Sequence, residues 1–303
     1  MTQTILVTGA SGHLGRLIVS ELLASRASEG GEGSLNVIAA SRNVGMLGDL
    51  GKMGAELRRL DLDSFELTMS AFQGIDVVIL VSTMELGKRI LQHRTAIRAA
   101  EAAGVSHLVY TSFVNPRPQE GIFNDHFFTE NDIVQARLKW TILRNNSYAE
   151  TLLMPQNAHF IHSGSLPSTT KEGRRAYITR ADCAAMAAHT ALHSERYDHR
   201  VLDVAADHAA SVEDLANIFS KHTGNAVKVD YVSLEEYTKR LELADTPMWW
   251  LSVAQDLESA AATGVLAITN GGTFKEVVGR EPTPLQSFLE QNKSQLQNPF
   301  RQQ

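Results

Sequence analysis

Near its amino terminus the chain reads Val7-Thr8-Gly9-Ala10-Ser11-Gly12-His13-Leu14-Gly15, directly after the apolar Ile5-Leu6-Val7 and at the start of a helical pattern over residues 14–23. Glycines at this spacing let a strand reverse tightly into a helix. Without Cβ atoms, the backbone N–H groups of such a turn can approach a pyrophosphate, and the helix N-terminus behind them favours its negative charge. The bland alternative is a strand-to-helix turn with no ligand. The position between a first strand and a first helix is the context in which the ligand reading holds.

The strand-then-helix order of this beginning is repeated along the chain. Short apolar runs at residues 36–41, 77–82 and 107–112 alternate with helical patterns such as 89–103, the rhythm of βαβ units and a parallel sheet. Residues 141–143 read as another strand, 180–192 as a helix and 201–205 as a return to the sheet. Residues 212–222 and 234–243 read as amphipathic helices around a strand at 227–232, and Thr283-Pro284 opens a last helix over 285–296. The expected architecture is α/β: a Rossmann-type doubly wound parallel sheet in residues 1–150, completed by 180–205, with a smaller C-terminal α/β substrate lobe from 151–179 and 206–303. Residues 27–34 read as a flexible loop and 297–303 as a frayed tail.

Composition narrows the partners. The 303 residues carry a formal charge of -6 with acidic and basic residues interspersed, which gives no footprint for nucleic acid or an anionic membrane. Cys183 is the single cysteine, so neither an internal disulfide nor a multi-cysteine zinc site is expected, and no metal is. No basic leader or membrane-length apolar stretch is evident. These features together point to a cytoplasmic protein acting on a small molecule, with a homodimer allowed.

The Gly9-x-x-Gly12-x-x-Gly15 spacing resembles the extended and atypical short-chain dehydrogenases/reductases. At the end of the second strand an NAD site would carry an acidic residue for the ribose 2′-OH, whereas this chain has Ser41-Arg42-Asn43. A guanidinium suits a 2′-phosphate by charge and by its fork of donors, so NADP(H) is the expected cofactor. A solvated surface arginine is the alternative. Asp61 is expected at the end of the third strand, near the adenine, or as a cap of the next helix. Ser82 and Thr83 stand at the carboxyl end of an apolar strand, where they would meet the nicotinamide ribose or cap the next helix.

The usual acid of that superfamily is missing. None of the six tyrosines is followed four positions later by lysine, and the segment after the fifth strand reads His126-Phe127-Phe128-Thr129-Glu130. An acceptor whose reduced form is a stabilised anion needs no strong acid, and quinones fit that description. The sequence further resembles the NmrA-like group of atypical short-chain reductases, and within it the flavin-free, zinc-free bacterial quinone reductases and the triphenylmethane reductases. The likeness is carried by residues 8–15, Gln92-His93-Arg94, Tyr110-Thr111-Ser112, His126 with Glu130, Leu143-Arg144-Asn145-Asn146-Ser147-Tyr148, and Thr179-Arg180-Ala181-Asp182.

That resemblance implies an NADPH-dependent reductase passing hydride to a quinone-like acceptor, or else a non-catalytic NADP(H) sensor. It implies cofactor contacts from Gly9, Ala10, Ser11, Gly12, His13, Leu14, Gly15, Arg42, Asp61, Val81, Ser82, Thr83, Gln92, Arg144, Asn145 and Tyr148, with a nicotinamide facing a cleft between lobes. Asn145, Tyr148 and His126 are the catalytic candidates. From the residues alone, Arg144 and Asn145 could equally bond backbone carbonyls, Tyr148 could simply pack, and His126 and Glu130 could be a solvated pair. Met84, Phe113, Phe123, Met154, Trp249 and Trp250 are candidates for an apolar wall over a flat substrate, and the segment 267–273 departs from the family pattern.

Overall fold

The computed structural model describes residues 2–28, 35–85, 87–118 and 121–297. Most of the loop expected at 27–34 and all but the first residue of the tail expected at 297–303 lie outside them. Eleven strands are present among the described residues: β1 (Gln3–Val7), β2 (Leu35–Ser41), β3 (Glu56–Arg59), β4 (Val77–Val81), β5 (His107–Phe113), β6 (Lys139–Asn145), β7 (Ser165–Ser168), β8 (Arg174–Arg175), β9 (Arg200–Val204), β10 (Ala210–Ser211) and β11 (Lys228–Tyr231). The chain divides into two compact units. One comprises Met1–Asn145, Arg180–Asp203 and Glu276–Gly279; the other comprises Asn146–Thr179, Val204–Lys275 and Arg280–Gln303.

The first unit is built on a seven-stranded sheet in the order β3-β2-β1-β4-β5-β6-β9. The five pairings from β3 through β6 are all parallel. This is a doubly wound sheet of Rossmann type, with its reversal of strand order at β1 and β4. Burial on both faces explains why the strands read as unbroken apolar runs. Leu6, Ile38, Val78, Leu80, Leu108 and Ile142 pack into one cluster with Ala96, Ala99 and Ala100 of the helix Arg89–Ala103. The residues between them, among them Ile5, Val37, Ile79 and Val109, are just as fully buried and point to the opposite face. There the helices His13–Ser28 and Arg180–Leu192 pack against each other.

Register brings the expected site residues to one edge. Val7 lies beside Ala39 and Ile79, Val81 beside Thr111, Ser112 beside Arg144 and Phe113 beside Asn145. The turns after β1, β2, β4, β5 and β6 therefore all leave the sheet at its carboxyl edge, where ligands bind in such sheets.

The second unit has two small sheets, a parallel β7–β11 pair and an antiparallel β8–β10 pair. Its core gathers Phe160, Ile161, Tyr177, Leu215, Phe219, Leu241 and Leu289. The helix Val212–Thr223 begins with a capping box, in which Ser211 Oγ accepts from the Asp214 N–H while the Asp214 carboxylate accepts from the Ser211 N–H. The last helix expected over 285–296 is broken into Leu285–Gln291 and Lys293–Gln297. Asn292 stands at the break as the C-cap, its side-chain amide donating to the Phe288 carbonyl at 2.8 Å.

Candidate cofactor site and its supporting network

The glycine turn has the geometry of a cradle. Gly9 takes φ +60°, a left-handed conformation that L side chains rarely adopt. Its carbonyl accepts from the Gly12 N–H at 2.9 Å. A Cβ on Gly15 would lie 2.4 Å from the Gly9 oxygen and 2.9 Å from the Ala10 Cα, so no side chain fits there. Neighbouring strands pin the turn: the Ala10 N–H donates to the Ala40 carbonyl at 3.0 Å, and Thr8 Oγ1 accepts from the Val81 N–H at 3.0 Å. Ala10 and Leu14 are buried, which leaves their backbone, not their side chains, to meet a ligand. Gly12 and His13 are exposed. Ser11 Oγ accepts from Ser41 Oγ at 3.0 Å, which joins the turn to the end of β2. A dinucleotide pyrophosphate fits this backbone cradle at a helix N-terminus.

Arg42 follows β2 and is well exposed. Its Nη1 lies 2.6 Å from Glu85 Oε1, in the segment after β4. Asp61 stands two residues beyond β3, which ends earlier than the sequence suggested. Its Oδ1 accepts from the Asp63 N–H, whereas Ser64 is the residue that caps the next helix, accepting from the Leu67 N–H. The Ser82 and Thr83 backbone is fixed from below, with the Ser82 N–H donating to Thr111 Oγ1 and the Thr83 N–H to His93 Nε2. Neither residue caps the helix Arg89–Ala103. Thr83 Oγ1 is buried without a hydrogen-bond partner. Such an orphaned hydroxyl at the ligand edge of the sheet is consistent with a ribose or nicotinamide contact. Gln92 is held elsewhere: its amide donates to Asp63 Oδ1 at 3.0 Å.

Beneath this edge lies a buried polar network. Glu130 accepts from Ser112 Oγ at 2.6 Å and from Arg144 Nε and Nη2 at 3.0 and 2.6 Å, a two-pronged pairing that raises the Arg144 pKa. His126 and Glu130 do share one helix face, but they do not form a solvated pair. Tyr110 Oη lies 2.7 Å from His126 Nδ1. Burial pushes the Tyr110 pKa up and pulls that of His126 well below the ordinary imidazole value, so a neutral phenol and a neutral imidazole share this bond. His93 is likewise buried and neutral, and its tautomer is set by its partners. Its Nε2 accepts a backbone N–H, so Nδ1 carries the proton and donates to Thr129 Oγ1 at 2.9 Å. Arg89 is buried beside them, its Nε donating to the Thr83 carbonyl at 2.5 Å and its Nη1 lying 3.5 Å from Asp125.

Asn145 ends β6 and is fully buried. The next residue begins the second unit. Asn146 is structural there, its amide donating to the carbonyls of Leu266 and Ile268 at 3.2 and 3.1 Å and so fixing part of the 267–273 segment. Tyr148 precedes the short turn Ala149–Leu153 and bridges to Ile178. The aromatic residues considered for a substrate wall are dispersed. Phe113 and Phe123 stack edge to face at 5.4 Å in the first unit, Met84 and Trp249 are exposed, and Trp250 is partly buried against the core of the second. Glu85 and Arg89 were not singled out by the sequence, and Ser112 was named only as part of the Tyr110-Thr111-Ser112 motif, because its Glu130 partner, like the Arg42 partner of Glu85, is distant in the chain.

A model of the NmrA-like family matches residues 1–264. The chain is 29% identical to quinone oxidoreductase 2 of Escherichia coli over 282 residues, covering 93% of this chain and 96% of that one. The crystal structure of that enzyme complexed with NADPH superposes with a TM-score of 0.85, covering 96% of this chain and 99% of that one. Citrobacter sp. triphenylmethane reductase complexed with NADP(H) gives a TM-score of 0.85 at 27% identity, over 95% and 99% of the two chains.

Proposed function

The chain belongs to the NmrA-like family, and from that premise we propose that it is an NADPH-dependent oxidoreductase whose acceptor is a quinone or a similarly conjugated molecule. The glycine cradle would hold the pyrophosphate, Arg42 the 2′-phosphate, and Ser82 and Thr83 the nicotinamide side of the cofactor. When bound, NADPH supplies a hydride to the acceptor. The Glu130–Arg144–Ser112 pairing holds the ends of β5 and β6 in fixed register, so the protein's contribution is orientation. Asn145 and Tyr148 are assigned to contacts with cofactor or acceptor. His126 acts through Tyr110 as a positioning residue.

One observation favours a quinone over an ordinary ketone. Tyr110, the tyrosine of the central strands, is wholly buried, bonded to His126 and held protonated by burial, so it is no proton donor to a substrate. A ketone would need a donor of lowered pKa for its basic alkoxide, and no tyrosine here, Tyr148 included, is followed four positions later by lysine. The reduced quinone spreads its charge over a ring and takes its proton from water. The test is NADPH oxidation, followed by absorbance, with 1,4-benzoquinone and without added flavin. Saturable turnover is expected. Tight NADP(H) binding with no turnover across quinones and dyes would replace this reading with that of a nucleotide sensor.

A further inference from the structure

The second unit has a partly open cavity against its core. A cavity of about 90 Å³ lies among Leu215, Phe219, Leu241, Trp250 and other members of the apolar cluster. Protein interiors are close-packed, and a single water needs only about 10–15 Å³ of such volume. The walls are not merely apolar. Arg175 and Glu258 both line the cavity and pair there, Nη2 to Oε2, at 2.5 Å. Glu258, only 5% exposed, is fixed further by accepting from Ser168 Oγ and the Thr169 N–H, each at 2.8 Å. Tyr177 and Tyr237 also reach the cavity, and burial pushes both phenol pKa values up, so their hydroxyls remain protonated donors.

These features select a ligand class. The two wall charges neutralise each other, and an added buried charge would have no partner, which disfavours an anion or a cation. The volume is enough for a single ring. Aromatic and aliphatic walls suit a flat ring, while the phenol hydroxyls suit an oxygen substituent. We infer that the smaller unit carries a ligand site of its own, for a neutral single-ring aromatic molecule bearing a hydroxyl or carbonyl oxygen. It is lined by Arg175, Glu258, Tyr177, Tyr237 and Trp250. The site lies within this unit alone and is independent of the reductase reading.

The test is calorimetric titration of the full chain with hydroquinone, under argon and without NADPH. One saturable site is expected. Tyr237→Phe, which keeps the shape and removes one hydroxyl, should weaken it about fivefold or more, and Ala254→Leu, which fills the cavity, should abolish it. Benzoate, the same ring with a charge, should bind more weakly than hydroquinone. Absence of saturation into the millimolar range overturns the site. So does binding that neither variant changes, and benzoate binding more tightly would overturn the choice of a neutral ligand. Because the titration is run without cofactor, failure here leaves quinone-dependent NADPH oxidation to be judged separately. Should Ala254→Leu fail to fold, Tyr237→Phe carries the result.

Discussion

At the scale of single residues, the pair Arg42–Glu85 shows what a sequence reveals and what it hides. The position of Arg42 was legible because its place after the second strand is set by the fold, and its charge contrasts with the acid of an NAD site. Glu85 was not, since nothing local marks an acidic residue in a polar segment as the partner of an arginine two strands earlier. Their contact has a consequence for binding. Glu85 occupies the guanidinium that a 2′-phosphate would need, so the two anions compete. Arg42→Ala is expected to weaken NADPH by about 10-fold or more, the scale of a charged hydrogen bond, while NADH changes little; equal losses for both cofactors would remove Arg42 from this role. Glu85→Gln should act in the opposite direction. An exposed ion pair is worth at most about 1 kcal/mol, so NADPH should bind up to about fivefold more tightly by fluorescence titration. His126 is a similar case: its spacing from Glu130 correctly placed both on one face, but only the packing of that face onto β5 reveals that His126 serves Tyr110 and Glu130 serves Arg144.

At the scale of elements, those with strong terminal signals and clear periodicity were readable to within a residue or two. The helices Arg180–Leu192, with Asp182 in its first turn, and Leu234–Leu243, capped by Ser233, are of this kind. The helix Met248–Ala262 was not read, and the physical reason is plain. Its N-cap is Pro247 without a side-chain hydrogen bond, and neither its first nor its last turn carries a charge that would complement the helix dipole. The strand–turn–helix around Gly9 yields the sharpest test at this scale. Gly15→Ala would set a methyl group 2.4 Å from the Gly9 carbonyl oxygen, forcing the turn and the helix apart. The expected loss is about 1–3 kcal/mol of stability, read by urea unfolding, together with a clear loss of NADPH affinity. An unchanged urea midpoint would mean that the cradle is more yielding than its geometry.

For the whole molecule, buried neutral histidines set the response to acid. Burial is the main cause that draws His93 down to about 3 and His107 down to about 4. In the unfolded chain both titrate near the ordinary value of about 6.5. Below that value the unfolded state binds more protons than the native one. Their neutral burial is therefore fully tolerated above about pH 6.5, and stability falls as the pH drops toward the folded values, by up to about 1.4 kcal/mol per pH unit for each histidine. Urea midpoints between pH 7.5 and pH 4.5 should show this decline, and His93→Gln should flatten it. A slope unaltered by that substitution would assign the acid response to other groups.

The chain leaves the first unit after Asn145 and does not return until Arg180. A ribosome must therefore release nearly fifty residues beyond β6 before the helix Arg180–Leu192 can cover the helix His13–Ser28, and nearly sixty before β9 can join the sheet. Until then the nascent sheet has an open edge at β6 and an incompletely shielded face, the conditions under which partly made chains stick to one another. A fragment ending at Asn145 contains every glycine and arginine assigned above to the pyrophosphate and 2′-phosphate. It should nonetheless be recovered as aggregate, whereas co-expression with a segment spanning residues 180–203 should raise its yield in the supernatant after centrifugation. Synthesis order, as much as the finished fold, thus limits where this protein can be cut.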